Sequence, residues 1–358
     1  MRYIISSAFA TLATTLPAFA EVPRVVTDIH PVHALVAQVM GDLGTPELLL
    51  SQGASEHEFQ LRPSQAAGLA EAELVVWIGP ELTPWLDRAL AGLGEGSARL
   101  TLLQVEGTEL RDFSKDGSHA AEDAHDHGHE EKAVEAGHDH GHEEAAHDDH
   151  AHGGHSHDEH SHDEASHDDH AHDEHAHDEH GHSHEGTDPH AWLDPANARL
   201  WLTAIADELS RLDPENATTY AANAEAAAAE IAALDAEIAT LLAPVQGKPL
   251  VVYHDAYGYF AAHYGLEIFG SIALGDATAP GAARLSELRD GVAAGTPVCL
   301  FPEAQHDPAL VQQLADGTGS RIGGALDPNG STLEPGKGAY TALLRNLAET
   351  MVKCVQTS

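Results

Sequence analysis

At 358 residues and a formal charge of −41 the chain is strongly acidic, which argues against nucleic acid and anionic membranes as partners. Most of that charge is local: residues 115–187 hold 23 Asp and Glu against 2 Lys, and what remains has ordinary globular composition, enough for two modest α/β domains. With only Cys299 and Cys354 in the chain, a cluster of metal-bound thiolates is not expected.

Arg2, a mostly apolar stretch from Tyr3 to Ala13 and the small-residue pattern Ala18-Phe19-Ala20 form a secretory signal over residues 1–20, so the mature chain is expected to begin near Glu21. No later stretch offers about 18 uninterrupted apolar residues, and no Cys stands at the cleavage point to accept lipid, so free export to a periplasm is expected. From Glu21 short β-rich runs alternate with amphipathic stretches, the sign of βα units around mainly parallel sheets. Strands are predicted at 24–29, 47–50, 74–78 and 100–105. Helices are predicted from Pro31, where Val32, Leu35, Val36 and Val39 recur at helical spacing, and from near Ser64 and Pro80. With a further helix from Pro195 to about Arg211, these make an N-terminal α/β lobe over 21–211.

Inside that lobe, residues 115–187 lack apolar periodicity and repeat His-Asp-Asp-His-Ala-His at 147–152 and 167–172; such a segment cannot build a core and is expected to be disordered. Asp213-Pro214-Glu215 then opens an Ala-rich run to Leu242, stopped by Pro244, with Leu234, Ile238 and Leu241 on one stripe. Read as one helix it is about 44 Å long, a stiff strut over 212–244; two shorter helices packed in one domain are the alternative. Beyond Lys248 the alternation restarts, with strands at 249–253, 266–271, 298–301 and 321–326 and helices at 282–293, 308–315 and 337–354, a C-terminal α/β lobe over 245–358. In an oxidising compartment Cys299 and Cys354 most simply form one disulfide that staples this last third; the alternative is two reduced, buried thiols.

Of 29 histidines, 22 lie between His119 and His184, which leaves His30, His33, His57, His190, His254, His263 and His306 for a fold to place. His57 stands in the polar loop Gly53-Ala54-Ser55-Glu56-His57-Glu58, just after a predicted strand. His190 stands in the proline-bracketed turn Asp188-Pro189-His190-Ala191-Trp192-Leu193-Asp194-Pro195, and His254 follows Leu250-Val251-Val252-Tyr253 at the carboxyl end of a strand. Ligands of open α/β sheets bind outside the carboxyl ends of strands, so three loops of this kind from two lobes can converge on one cleft. Three neutral imidazoles and one oxygen donor complete the tetrahedron that zinc accepts. Any one of these histidines alone reads more simply as a turn or surface residue; the shared strand-end position is what joins them. His30 and His33, around the first turn of a helix, and His263, on another, read as surface or capping residues, while His306 borders the cleft. Asp194 and Asp255 are the candidates for carboxylates behind the ligating rings.

These residues also carry a family resemblance. The motifs around His57 (continuing through Leu61-Arg62-Pro63-Ser64), Leu74-Val75-Val76-Trp77-Ile78-Gly79-Pro80-Glu81, His190-Ala191-Trp192-Leu193-Asp194-Pro195, His254-Asp255-Ala256-Tyr257-Gly258-Tyr259-Phe260 and Leu326-Asp327-Pro328 occur in the order seen in the cluster A-I metal-binding proteins of ABC importers. The chain resembles that family over nearly its whole mature length, and most closely the zinc-type ZnuA branch. The resemblance implies two similar lobes joined by a long rigid helix, and a metal held in the cleft by His57, His190 and His254. It also implies Zn2+ as cargo, the membrane permease of an ABC zinc importer as partner, and a monomeric binding protein that is not an enzyme. Manganese-type members place a carboxylate where His254 stands, and a nitrogen donor there favours zinc. For the fourth ligand, Asp307 matches the place of a metal-binding Asp in family patterns, with Glu56 as the alternative; Asp307 is equally well placed to cap a helix before Pro308.

Two other functions use the same residues. A zinc-dependent hydrolase would keep an open water position with Glu56 or Glu58 as general base, though no substrate-cradling motif accompanies it. A family member serving another divalent metal would keep the same architecture. The acidic histidine tract is suited to holding several zinc ions weakly, since imidazoles with pKa near 6.5 are mostly neutral at pH 7, and it fits a reservoir, a transfer segment or a sensor.

Overall fold

The computed structural model describes residues 22–50, 52–54, 56, 59–93, 96–113, 186–274, 280–294 and 299–356. The export signal at 1–20, the acidic histidine tract up to residue 185 and His57 lie outside the described residues.

Strand β1 (Val25–Thr27) runs into helix α1 (His30–Met40), opened by Pro31 in its first turn. There follow β2 (Glu47–Leu48), α2 (Pro63–Glu71), β3 (Leu74–Trp77), α3 (Pro84–Leu93) and β4 (Ala98–Thr101). The four strands form a parallel sheet in the order β2-β1-β3-β4, in register Val26 to Glu47 and Val26 to Val75. Leu74-Val75-Val76-Trp77 is buried throughout because helices cover both faces of the sheet: Leu74 and Val76 enter the core shared with α1, whereas Val75 and Trp77 pack with Leu69, Trp85, Leu86 and Leu90 of α2 and α3.

Helix α4 (Pro195–Leu212) and helix α5 (Ala217–Leu241) lead to the second sheet, built from β5 (Pro249–His254), β6 (Glu267–Ala273), β7 (Cys299–Leu300) and β8 (Arg321–Ile322). Between and after these strands come α6 (Gly258–Tyr264), α7 (Ala282–Ala294), α8 (Ala309–Ala315) and α9 (Ala339–Gln356). Its strands are again parallel, in the order β6-β5-β7-β8, which repeats the topology of the first sheet. In each sheet the winding reverses between the first and third strands, β1 and β3 in one and β5 and β7 in the other, and the crevice beyond such a reversal is where α/β sheets bind ligands.

The Ala-rich run forms one helix, as the single-strut reading expects. Its 25 residues span about 37 Å. Tyr220, Ala224, Ala227, Ile231, Leu234 and Ile238 make a buried stripe at alternating four- and three-residue steps, and α5 packs along it against α1, α4 and α9. The helix is therefore as much a core element as a strut, and the small alanines let its neighbours approach closely. Predicted strands at 47–50 and 321–326 shorten to two residues each, although Leu49 and Leu50 still donate backbone bonds to Thr27 and Asp28, and Leu326 bridges to Glu303. The helix expected near Pro80 starts at Pro84, after a turn in which Leu82 and Thr83 donate to the Gly79 carbonyl.

One expectation is corrected. His30 and His33, read as surface or capping residues, are 1% and 4% exposed, because α1 is enclosed by the first sheet, α4, α5 and α9 and buries all eleven of its residues. Burial pushes the His30 imidazole down to about 4 against the pull of Asp327, and lowers His33 as well. Cys299 on β7 and Cys354 on α9 form the expected disulfide, with Cα atoms 6.2 Å apart across 55 residues of sequence. No helix among the described residues is long and apolar enough to cross a membrane.

Candidate metal centre

His254 is the last residue of β5, so the strand itself fixes its Cα at the reversal point of the second sheet. Glu303 lies just beyond β7, the neighbouring strand, and its Oε2 stands 2.6 Å from His254 Nδ1. Tyr257 donates to the other oxygen, Oε1, at 3.1 Å, so the carboxylate is anchored at both ends.

His190 is held by a local device. Asp188 Oδ1 accepts from the His190 backbone N at 2.9 Å and lies 2.7 Å from its Nδ1, so one oxygen sets both the turn and the ring. The turn is itself pinned: Asp188 N donates to Arg111 O, Tyr259 OH of α6 donates to Asp188 O, Trp192 Nε1 donates to Pro328 O, and Tyr340 OH of α9 donates to Trp192 O. Burial keeps the Tyr259 phenol protonated and able to donate.

These two supports bring His190 Nε2 and His254 Nε2 to 3.4 Å, with ring centroids 5.3 Å apart and planes at 61°. In the neutral tautomer that donates from Nδ1 to its carboxylate, each ring turns an Nε2 lone pair toward the other. Two lone pairs face to face repel, and a cation between them removes the repulsion. Tetrahedral zinc with bonds of 2.0–2.1 Å has an N···N edge of about 3.3–3.4 Å, which the pair matches. Both side chains are about 2% exposed, and both rings are backed by carboxylates that fix the tautomer and raise basicity.

The other candidates fall differently. Glu56 is fully buried, with its backbone carbonyl accepting from Trp85 Nε1 at 2.8 Å. Asp307 is exposed, and its Oδ1 accepts from Ala309 N at 2.9 Å, the helix-capping role that its position before Pro308 allowed. Its neighbour His306 turns inward, with Nε2 3.9 Å from Glu303 Oε2. The carboxylates behind the two rings are Asp188 and Glu303; the expected Asp194 instead caps α4 through Ala196 N and meets His263, while Asp255 is buried beyond the end of β5. His263 is part-buried on α6, its Nδ1 and Nε2 each 2.9 Å from Asp194 and Asp235. Burial opposes charge there, but the two carboxylates outweigh it and raise the imidazole to about 9. The strand-end position that singles out His254 singles out Glu303 as well, just beyond β7. The Asp-Pro-His spacing likewise pointed to Asp188.

The profile of the ZnuA family, "Zinc-uptake complex component A periplasmic", matches residues 25–354. The chain is 51% identical over 352 residues to the high-affinity zinc uptake system protein ZnuA of Paracoccus denitrificans (strain Pd 1222), covering 98% of this chain and 97% of that protein. It is 39% identical over 331 residues to the protein of the same name from Brucella abortus (strain 2308), covering 92% and 91%. Among solved structures it is similar to the laminin-binding protein Lmb of Streptococcus agalactiae, described as bifunctional, with adhesin and metal-transporting activity; the TM-score is 0.65 at 20% identity, over 93% of this chain and 100% of that one.

Proposed function

The chain belongs to the ZnuA family, and on that premise we propose that it captures Zn2+ in the periplasm and hands it to the membrane permease of an ABC zinc importer. The observation that carries this reading is the pair of Nε2 atoms 3.4 Å apart, each ring braced by a buried carboxylate at its Nδ1. Zinc binds between them, His57 brings the third imidazole from its loop, and an oxygen donor closes the tetrahedron. Glu56 is the better supported donor, being buried next to His57 in sequence, whereas the Asp307 carboxylate is engaged at the start of α8.

Residues 1–20 direct export, and the mature chain acts as a monomer with lobes at 21–211 and 245–358 joined by 212–244. Its role is binding and delivery, not catalysis. The acidic tract at 115–187 holds further zinc weakly, as a reservoir, a transfer segment or a sensor, and the overall charge keeps the protein off nucleic acid.

Zinc titration by calorimetry under a competing chelator tests this, on mature protein lacking residues 119–184 and on its His57→Ala, His190→Ala and His254→Ala variants. One tight zinc per chain that survives the deletion and is weakened by each substitution is expected. Substitutions without effect on the tight site would sink the cleft assignment.

A further inference from the structure

Among the described residues a second set of ligand-type side chains lies beside the facing pair: His254, Glu303 and His306 each offer one ligand atom within 4.8 Å of the others. His306 Nε2 stands 3.9 Å from Glu303 Oε2, the same oxygen that holds His254 Nδ1 at 2.6 Å. The His306 ring is stacked on Tyr253, with centroids 4.3 Å apart and planes at 15°, so β5 presents His254 at its end and fixes His306 through the preceding side chain. The His306 side chain is 20% exposed, against 2% for His254 and 1% for Glu303, which puts it on the solvent side of the buried carboxylate. A zinc ion bridging His306 and Glu303 needs an N···O edge of about 3.3 Å, a closure of roughly half an ångström that side-chain rotation supplies.

We propose that His306 and Glu303 form a second, weaker metal position through which zinc enters and leaves the cleft. The proposal rests on the cleft reading above and deepens it. Glu303 is shared between the two positions. When its Oε2 takes an ion together with His306, it withdraws from His254 Nδ1, and His254 loses the acceptor that fixes its tautomer and strengthens its Nε2 as a ligand. Occupancy of the outer position therefore weakens the inner one, and by linkage the inner ion weakens the outer position by the same factor. An ion arriving on His306 loosens its predecessor; with no ion on His306, the cleft keeps its full hold. His306 binds only as neutral imidazole, so any proton on Nε2 leaves to solvent as the metal arrives.

The test uses the full chain labelled with 15N at histidine, its ring nitrogens followed by long-range proton–nitrogen spectra during zinc titration, with His306 identified by comparison with His306→Phe. The His190 and His254 signals are expected to shift over the first equivalent, and the His306 signal over later ones. A His306 ring that stays unmoved throughout overturns the exchange position alone. If His190 and His254 stay unmoved, the cleft reading fails and the proposal falls with it. In a second experiment, protein loaded with 65Zn is challenged with excess unlabelled zinc. His306→Phe, which keeps an aromatic ring on Tyr253, is expected to slow exchange about tenfold, within the usual range of site coupling; an unchanged rate also overturns the proposal.

Discussion

A carboxylate behind an imidazole orients the ring and raises the electron density at the far nitrogen. The two carboxylates here differ in how they reach their rings: Asp188 lies two residues from His190, whereas Glu303 lies 49 residues from His254. Asp188→Asn and Glu303→Gln keep the size of the side chain and an acceptor oxygen but remove the charge. Each is expected to weaken zinc binding by about tenfold to a hundredfold, the usual cost of losing such a support. Competition calorimetry on the two variants reads this directly, and a change below about threefold in both would show that charge behind the rings is not what sets affinity. His190 and His254 stand out in the sequence because imidazoles at strand ends and beside prolines are few once the tract is set aside. Glu303 is legible as a residue just past a strand, but its contact with His254 is not, because the pairing of β5 with β7 chooses it and nothing local announces that neighbour. His30 and His33 were misread for a related reason: helical spacing marks the apolar face of α1, but four packing partners leave it no polar face.

Three helices meet at His263. The residue lies on α6, Asp194 stands at the start of α4, and Asp235 lies on α5, so one imidazolium ties elements that precede and follow the long helix. Its folded pKa of about 9 exceeds the ordinary value of 6.5, so between those values the folded state holds a proton that the unfolded state releases. The stabilisation is thus fully present below pH 6.5 and is lost as pH rises through 9. His263→Gln can still bond to one carboxylate but carries no charge. The stability difference between wild type and this variant, from denaturant unfolding, is expected to be largest near pH 6 and to shrink steadily toward pH 10. A difference independent of pH would mean that the contact is packing alone. Helices were the elements most plainly written in the sequence, through Pro31, Pro195 and Pro214 at their starts and Pro244 after α5. The inner face of α5 was less so, because alanine marks the buried and the exposed side alike.

At the scale of the molecule, the strand order of the first sheet is repeated in the second, where His254 and Glu303 flank the reversal point. The alternation of strands and helices makes that architecture legible in the sequence, whereas the ties across it are long-range and are not. Those ties limit how the metal can leave. One continuous apolar core runs from Val25 in β1 through the inner stripe of α5 to Cys354 in α9, and α9 packs on α1 as well as on α5. The His190 turn is bonded to Pro328, Tyr259 and Tyr340, all of which follow the long helix. The exposed Lys337–Asp42 pair adds little, since water and salt screen surface ion pairs, but breaking the core contacts would expose many apolar side chains at about 25 cal/mol for each Å2. A wide hinge opening is accordingly costly, and a cheaper route is local movement of residues 302–308, where His306 and Asp307 sit on a short connection before α8. Hydrogen exchange of the metal-free and zinc-loaded forms is expected to differ at residues 302–308 and to stay alike along α1, α5 and α9. Solution scattering of the two forms is expected to superimpose, and a large rotation of one sheet against the other would show that the core along α5 yields more readily than its packing implies.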